Sequence, residues 1–158
     1  MKKTTFEVLK TNFQFLLTDY NFKLIKENKS ELFLSYKSKL VAIRVKFDIR
    51  QGYLSIMVYK LEDGLLLENP IIILPESKLY GFNFDDILDG INKDLIILPI
   101  YLQNENDSKY RKSENGLEEY ILDVSLNFKK YSKPILCGDF KLFQHANNNV
   151  KNRVLGIN

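Results

Sequence analysis

VAIRVKFDIRQGYLSIMVYKL, residues 41–61, decides the fold. Val41, Ile43, Val45, Phe47 and Ile49 alternate with Ala42, Arg44, Lys46, Asp48 and Arg50, the period of a strand buried on one side. A two-residue turn at Gln51-Gly52 then sets Ile49 opposite Leu54, Phe47 opposite Ile56 and Val45 opposite Val58. On the reverse face the same register places Arg50 against Tyr53, Asp48 against Ser55, Lys46 against Met57 and Arg44 against Tyr59. A slip of one residue would destroy both faces, so the stretch reads as an antiparallel hairpin. Ala42, Met57 and Leu61 at one end of the reverse face imply that a helix covers part of it.

Toward the amino terminus, Phe6, Leu9, Phe13, Leu16 and Tyr20 recur at spacings of three and four, one stripe of a helix that Thr4 or Thr5 would cap. Phe22 and Leu24, then Leu32, Leu34 and Tyr36, change the period to two around a turn at Asn28-Lys29-Ser30, a second hairpin. Toward the carboxyl terminus, Asp63-Gly64 marks a turn, after which residues 65–67 read as the start of a further strand. Pro70 and Pro75 bracket 71–74, a short buried strand or an apolar loop. Asn83 caps a predicted helix over 84–92, with Asp85 and Asp86 in the first turn where the dipole favours acids. The polar stretch 103–112 reads as an exposed loop. Leu117, Ile121, Val124, Phe128 and Tyr131 give an amphipathic helix capped near Ser113 and stopped by Pro134. Gly138-Asp139 opens a last helix with Phe140, Phe143 and Val150 inward, fraying at Asn147-Asn148-Asn149. The expected fold is α+β in a single domain over 1–158: an N-terminal helix, an antiparallel sheet of four or more strands, and C-terminal helices packed on one sheet face.

The 158 residues are 45% apolar and 27% charged, the balance of a globular domain. Glu7 and Lys10 interrupt the apolar run a signal peptide needs, and the apolar stretch 95–102 contains Pro99 and is too short to span a bilayer. A cytoplasmic location and no membrane contact are expected. With one cysteine and one histidine, neither an intrachain disulfide nor a Cys/His zinc site can form. The seven glycines are never closer than nine positions, so no phosphate-cradling loop is present. No cofactor is implied.

Three chemistries remain to be weighed. Cys137 and His145 would form a nucleophile and base if the last helix brought them together; otherwise Cys137 is a small buried residue and His145 a surface polar one. Asp85, Asp86 and Asp89 could place two acids on one helix face for a divalent ion, though dipole complementation accounts for the first two. Arg44, Lys46, Arg50, Tyr53 and Tyr59 on the reverse face would make a basic-aromatic platform for RNA or DNA, against a plain solvated face. Charge is uneven: residues 1–60 hold 12 Lys+Arg against 5 acids, 61–100 hold 2 against 8, and 101–158 hold 9 against 7. The acidic segment either meets a basic partner, with Glu62, Asp63, Asp85, Asp86 and Asp89 steering and Tyr80 and Phe82 anchoring, or neutralises the basic sheet of its own molecule.

The order of elements resembles small bacterial immunity or immunity-like proteins of polymorphic toxin systems. The resemblance lies in Phe15-Leu16-Leu17 followed by Tyr20-Asn21-Phe22, in the strands 41–49 and 53–61, in the helix start 84–88, and in Leu136-Cys137-Gly138-Asp139-Phe140. It implies a fold plan and a non-enzymatic role, with a protein partner such as a toxin domain. Immunity partners of basic nucleases are often acidic, whereas this chain carries a net charge of +3. The resemblance therefore implies either a partner that is not a nuclease or contact through the acidic segment alone.

Overall fold

A computed structural model describes residues 3–91, 110 and 113–157. Helices α1 (Thr5–Asn12) and α2 (Phe15–Tyr20) lead into strands β1 (Lys23–Asn28), β2 (Phe33–Lys37), β3 (Val41–Asp48), β4 (Tyr53–Lys60) and β5 (Gly81–Asn83). Helices α3 (Phe84–Ile91), α4 (Gly116–Leu136) and α5 (Lys141–Leu155) follow. The strands form one antiparallel sheet in the order β1-β2-β3-β4-β5, so the α+β plan read from the sequence is the one observed. The predicted stretch 95–102 and the end of the helix at Asn92 lie outside the described residues. Of the polar stretch 103–112 only Tyr110 is described, and it is buried against Tyr120 with its hydroxyl donating to Asp123, not exposed.

The inward stripe of the opening segment holds: Phe6, Leu9, Phe13 and Leu16 are all buried. It is carried by two helices, because the chain leaves helical geometry at Phe13. Thr4 is the cap, with Glu7 closing a capping box; such a cap contributes about 1 kcal/mol. Across the sheet, Leu34, Tyr36, Ile43, Val45, Phe47, Leu54, Ile56 and Val58 face Tyr120, Ile121, Val124 and Phe128 of α4 in one continuous core.

The central hairpin keeps its faces and shifts its register. Phe47 pairs with Leu54, Val45 with Ile56 and Ile43 with Val58, two residues from the predicted pairing. A two-residue turn would force Gln51 to a positive φ. Instead the loop spans residues 49–52, with Gly52 alone at φ +62° and its N–H donating to the Asp48 carbonyl, while the Asp48 carboxylate accepts from the Gln51 N–H. A shift of two preserves the alternation, so the apolar set remains inward. It expels Ile49 and Arg50 into the turn, where Ile49 is 65% exposed.

Asp63 and Gly64, at φ +50° and +76°, make the predicted turn, but only a single bridge from Glu62 to Leu65 follows and no strand forms over 65–67. This segment, rather than a helix, covers the end of the reverse face among the described residues: Leu66, like Met57, packs on the cluster of Ala42, Tyr59 and Leu61. The stretch 71–74 is a loop in which Ile73 alone packs against the core; Ile71 is 102% and Ile72 73% exposed. The Asn69 side chain explains how the loop is tethered, since its amide accepts from the Tyr80 and Gly81 N–H groups and donates to the Gly81 carbonyl. Gly81 is required beneath it, because a Cβ there would collide with the Tyr59 ring.

Asn83 caps α3 as expected, accepting from the Asp85 N–H at 3.2 Å. Pro134 does not stop α4; it lies in the last turn, where it withdraws one helical donor, and the break comes at Gly138 with φ +97°. The Asn147-Asn148-Asn149 run does not fray α5, which continues to Gly156. Asn148 accepts from Gln144 and Asn149 donates to Asp89 of α3, so two of the three amides are held.

Candidate functional site

Among the described residues of the 61–100 segment, Glu62 and Glu76 lie on one side of α5 and Asp85, Asp86 and Asp89 on the other. On one side, Glu62 pairs with Lys78 at 3.0 Å, which lowers the Glu62 pKa, and Tyr80 lies under the same ammonium at 5.4 Å. These residues line an open groove of about 510 Å³ with Lys60, Glu76, Phe140, Gln144 and Lys151. Asp63 sits in its turn, exposed. Phe82, expected as an apolar anchor, is 2% exposed and stacks edge-on against Phe143 in the core. It cannot meet a partner, because a three-residue strand there turns its ring inward.

On the other side, α3 directs its acids at α5 and the sheet. Asp86 pairs with Arg153 at 3.1 Å, and Asp89 accepts from Asn149 at 2.7 Å and lies 3.1 Å from His145 Nε2. Gly90 makes room for that imidazole, since a Cβ would stand 2.7 Å from His145 Cδ2. Asp85 accepts from the Tyr53 hydroxyl at 2.6 Å; burial raises the pKa of both groups. Among the described residues no three His, Cys, Asp or Glu side chains converge as metal ligands. His145 is engaged by Asp89 and Asn149, and no hydrogen bond among the described residues joins it to Cys137, which is exposed rather than buried.

The Asp85 geometry has a pH consequence. Between its ordinary value of 3.8 and its raised one, the folded chain keeps a proton that the unfolded chain has released, so stability falls as pH rises through that window. Asp85→Asn is expected to gain stability relative to the parent across the same window, while still accepting from Tyr53. Urea midpoints at several pH values check this, and a constant difference between the two proteins would show that Asp85 does not titrate there.

The basic-aromatic set is not one open platform. Arg44 forms a two-pronged pair with Glu68 at 2.6 and 3.2 Å and stacks on Tyr59, which is buried. Tyr53 is tied to Asp85, Arg50 is in the turn, and of the five only Lys46 stands on the reverse face both exposed and without a carboxylate. Among the described residues, internal charge compensation between the acidic segment and the sheet is seen at Glu68 with Arg44, while Glu62, Asp86 and Asp89 find partners elsewhere.

The feature that the sequence reading left undecided is the loop. Ile71, Ile72 and Leu74 are exposed on a segment anchored at one end by Asn69 and at the other by Lys151, which donates to the Pro75 carbonyl. No protein-family model, no curated protein and no solved structure matches the chain. Among the described residues no helix is long and apolar enough to cross a membrane.

Proposed function

We propose that this chain is a non-enzymatic protein-binding module of the immunity type, which acts in the cytoplasm by occluding a toxin. The observation that carries the reading is the apolar loop. Exposed branched aliphatic side chains are costly to leave in water, and several of them in succession on one loop are suited to an association surface. Ile71 and Ile72 stand fully or largely free on a loop tethered at both ends, and a held loop loses little conformational freedom on binding. The groove beside it, with Tyr80, Lys60, Lys151 and Glu76, supplies a polar rim.

Growth rescue tests the proposal. Co-expressed with the toxin domain encoded beside its own gene, the chain is expected to restore growth and to co-purify with that domain. Ile72→Asp should weaken the complex by about tenfold or more with little change in melting temperature, because the side chain contributes nothing to the core. A parent chain that neither rescues nor co-purifies would sink the reading.

A further inference from the structure

Strand β1 contains a bulge between Leu24 and Lys26. In an unbroken strand Lys23 and Lys26, three positions apart, would point to opposite faces. The extra residue turns Lys26, so that Lys23 pairs with Lys37 and Lys26 with Ser35, and β2 continues the rows through Lys37 with Ala42, Ser35 with Arg44 and Phe33 with Lys46. Lys23, Lys26, Lys37 and Lys46 thus stand together on the face turned away from the helices. Among the described residues none of the four meets a carboxylate in an ion pair. The carboxylate that β3 presents on this face, Asp48, is at its far end and engaged by the Gln51 N–H. Lys23 directly opposes Lys37, and like charges so placed destabilise a sheet.

From this geometry we infer that the open face of β1–β3 is a docking surface for an acidic protein surface; the inference rests on the protein-binding reading above and gives its partner a chemistry. An acidic surface relieves the Lys23–Lys37 repulsion and meets cations that the fold leaves unneutralised. The segment that leads into the apolar loop borders the same face at β3 and β4, since Glu68 reaches Arg44 and Leu66 packs on Ala42 and Tyr59. A nucleic acid is the weaker fit: Tyr59 is buried, Tyr53 is tied to Asp85, and Phe33 is half-buried with the Lys26 ammonium 5.9 Å above its ring, so among the described residues no exposed ring on this face is available for base stacking.

The test uses the full ¹⁵N-labelled chain with poly-L-glutamate as probe, at low and at physiological salt. Amide shifts are expected to concentrate on 23–26, 35–37 and 44–46 and to weaken with salt. Lys23→Glu combined with Lys46→Glu should reduce affinity about tenfold while the melting temperature stays level or rises as the Lys23–Lys37 repulsion disappears. Shifts spread over lysines elsewhere, or an affinity unmoved in the variant, would overturn the inference. A DNA duplex that occupies the same amides more tightly than poly-L-glutamate would overturn it in favour of nucleic acid. No toxin enters this titration, so its failure is separate from failure of the growth-rescue test.

Discussion

Phe128→Ala is expected to destabilise the chain by about 3 to 5 kcal/mol. Phe128 is fully buried on α4, and its ring packs edge-on against Phe84 at 4.8 Å and tilted against Phe13 and Phe15 at 6.1 and 6.2 Å. It therefore joins the opening helices, the start of α3 and the long helix at one point. Truncation removes the transfer free energy of a ring and leaves a cavity that three other aromatic rings, each fixed by a different element, cannot close by small movements. The melting temperature should fall by about 10 °C or more. Leu126→Ala on the exposed side of the same helix is the control, with an expected change within about 0.5 kcal/mol. A loss below about 1 kcal/mol at Phe128 would mean that α4 does not pack there as described.

Tyr120→Phe is expected to cost about 1 to 3 kcal/mol although it removes a single oxygen. The Tyr120 hydroxyl accepts from the Leu54 N–H at 3.0 Å, where β4 begins and the core has closed around it. The substitution leaves the ring and its contacts with Phe47 and Tyr110 in place, so packing is nearly unchanged. What it leaves behind is a buried backbone donor with no water to turn to. Amide exchange at Leu54 separates this from a general loosening: it should accelerate beyond its neighbours on β4. If exchange at Leu54 is unchanged and stability is parental, the hydroxyl is not its partner.

Periodicity could assign faces in this chain and could not assign partners. The alternation over 41–60 names every inward residue of the central hairpin, because the side-chain period survives any shift of two. The pairing itself depended on whether Gln51 would accept a positive φ, and the chain avoids that by letting Asp48 hold a longer loop. Helices α3 and α4 were legible for the same reason as the strands. Hydrophobicity, however, does not report burial: Phe82 is core while Ile71 and Ile72 stand in solvent, and the difference is made by Asn69, whose amide fixes where the chain crosses the sheet. The acids were legible as a cluster along the sequence. Their partners were not, since Asp86 meets Arg153 and Asp89 meets His145 across 67 and 56 positions. Nor does anything in KLIKEN announce that Ile25 is the residue left over in β1.

Both margins of the sheet are closed to growth, by different means. At β5 the Asn69 amide occupies the outward N–H and C=O of Gly81, acting in effect as a sixth strand one residue long. At β1 the bulged Ile25 breaks the repeat that a neighbouring strand would have to match. A sheet with open margins is a template on which copies of the same chain can add; among the described residues neither margin of this sheet offers a regular, unoccupied ladder for such addition.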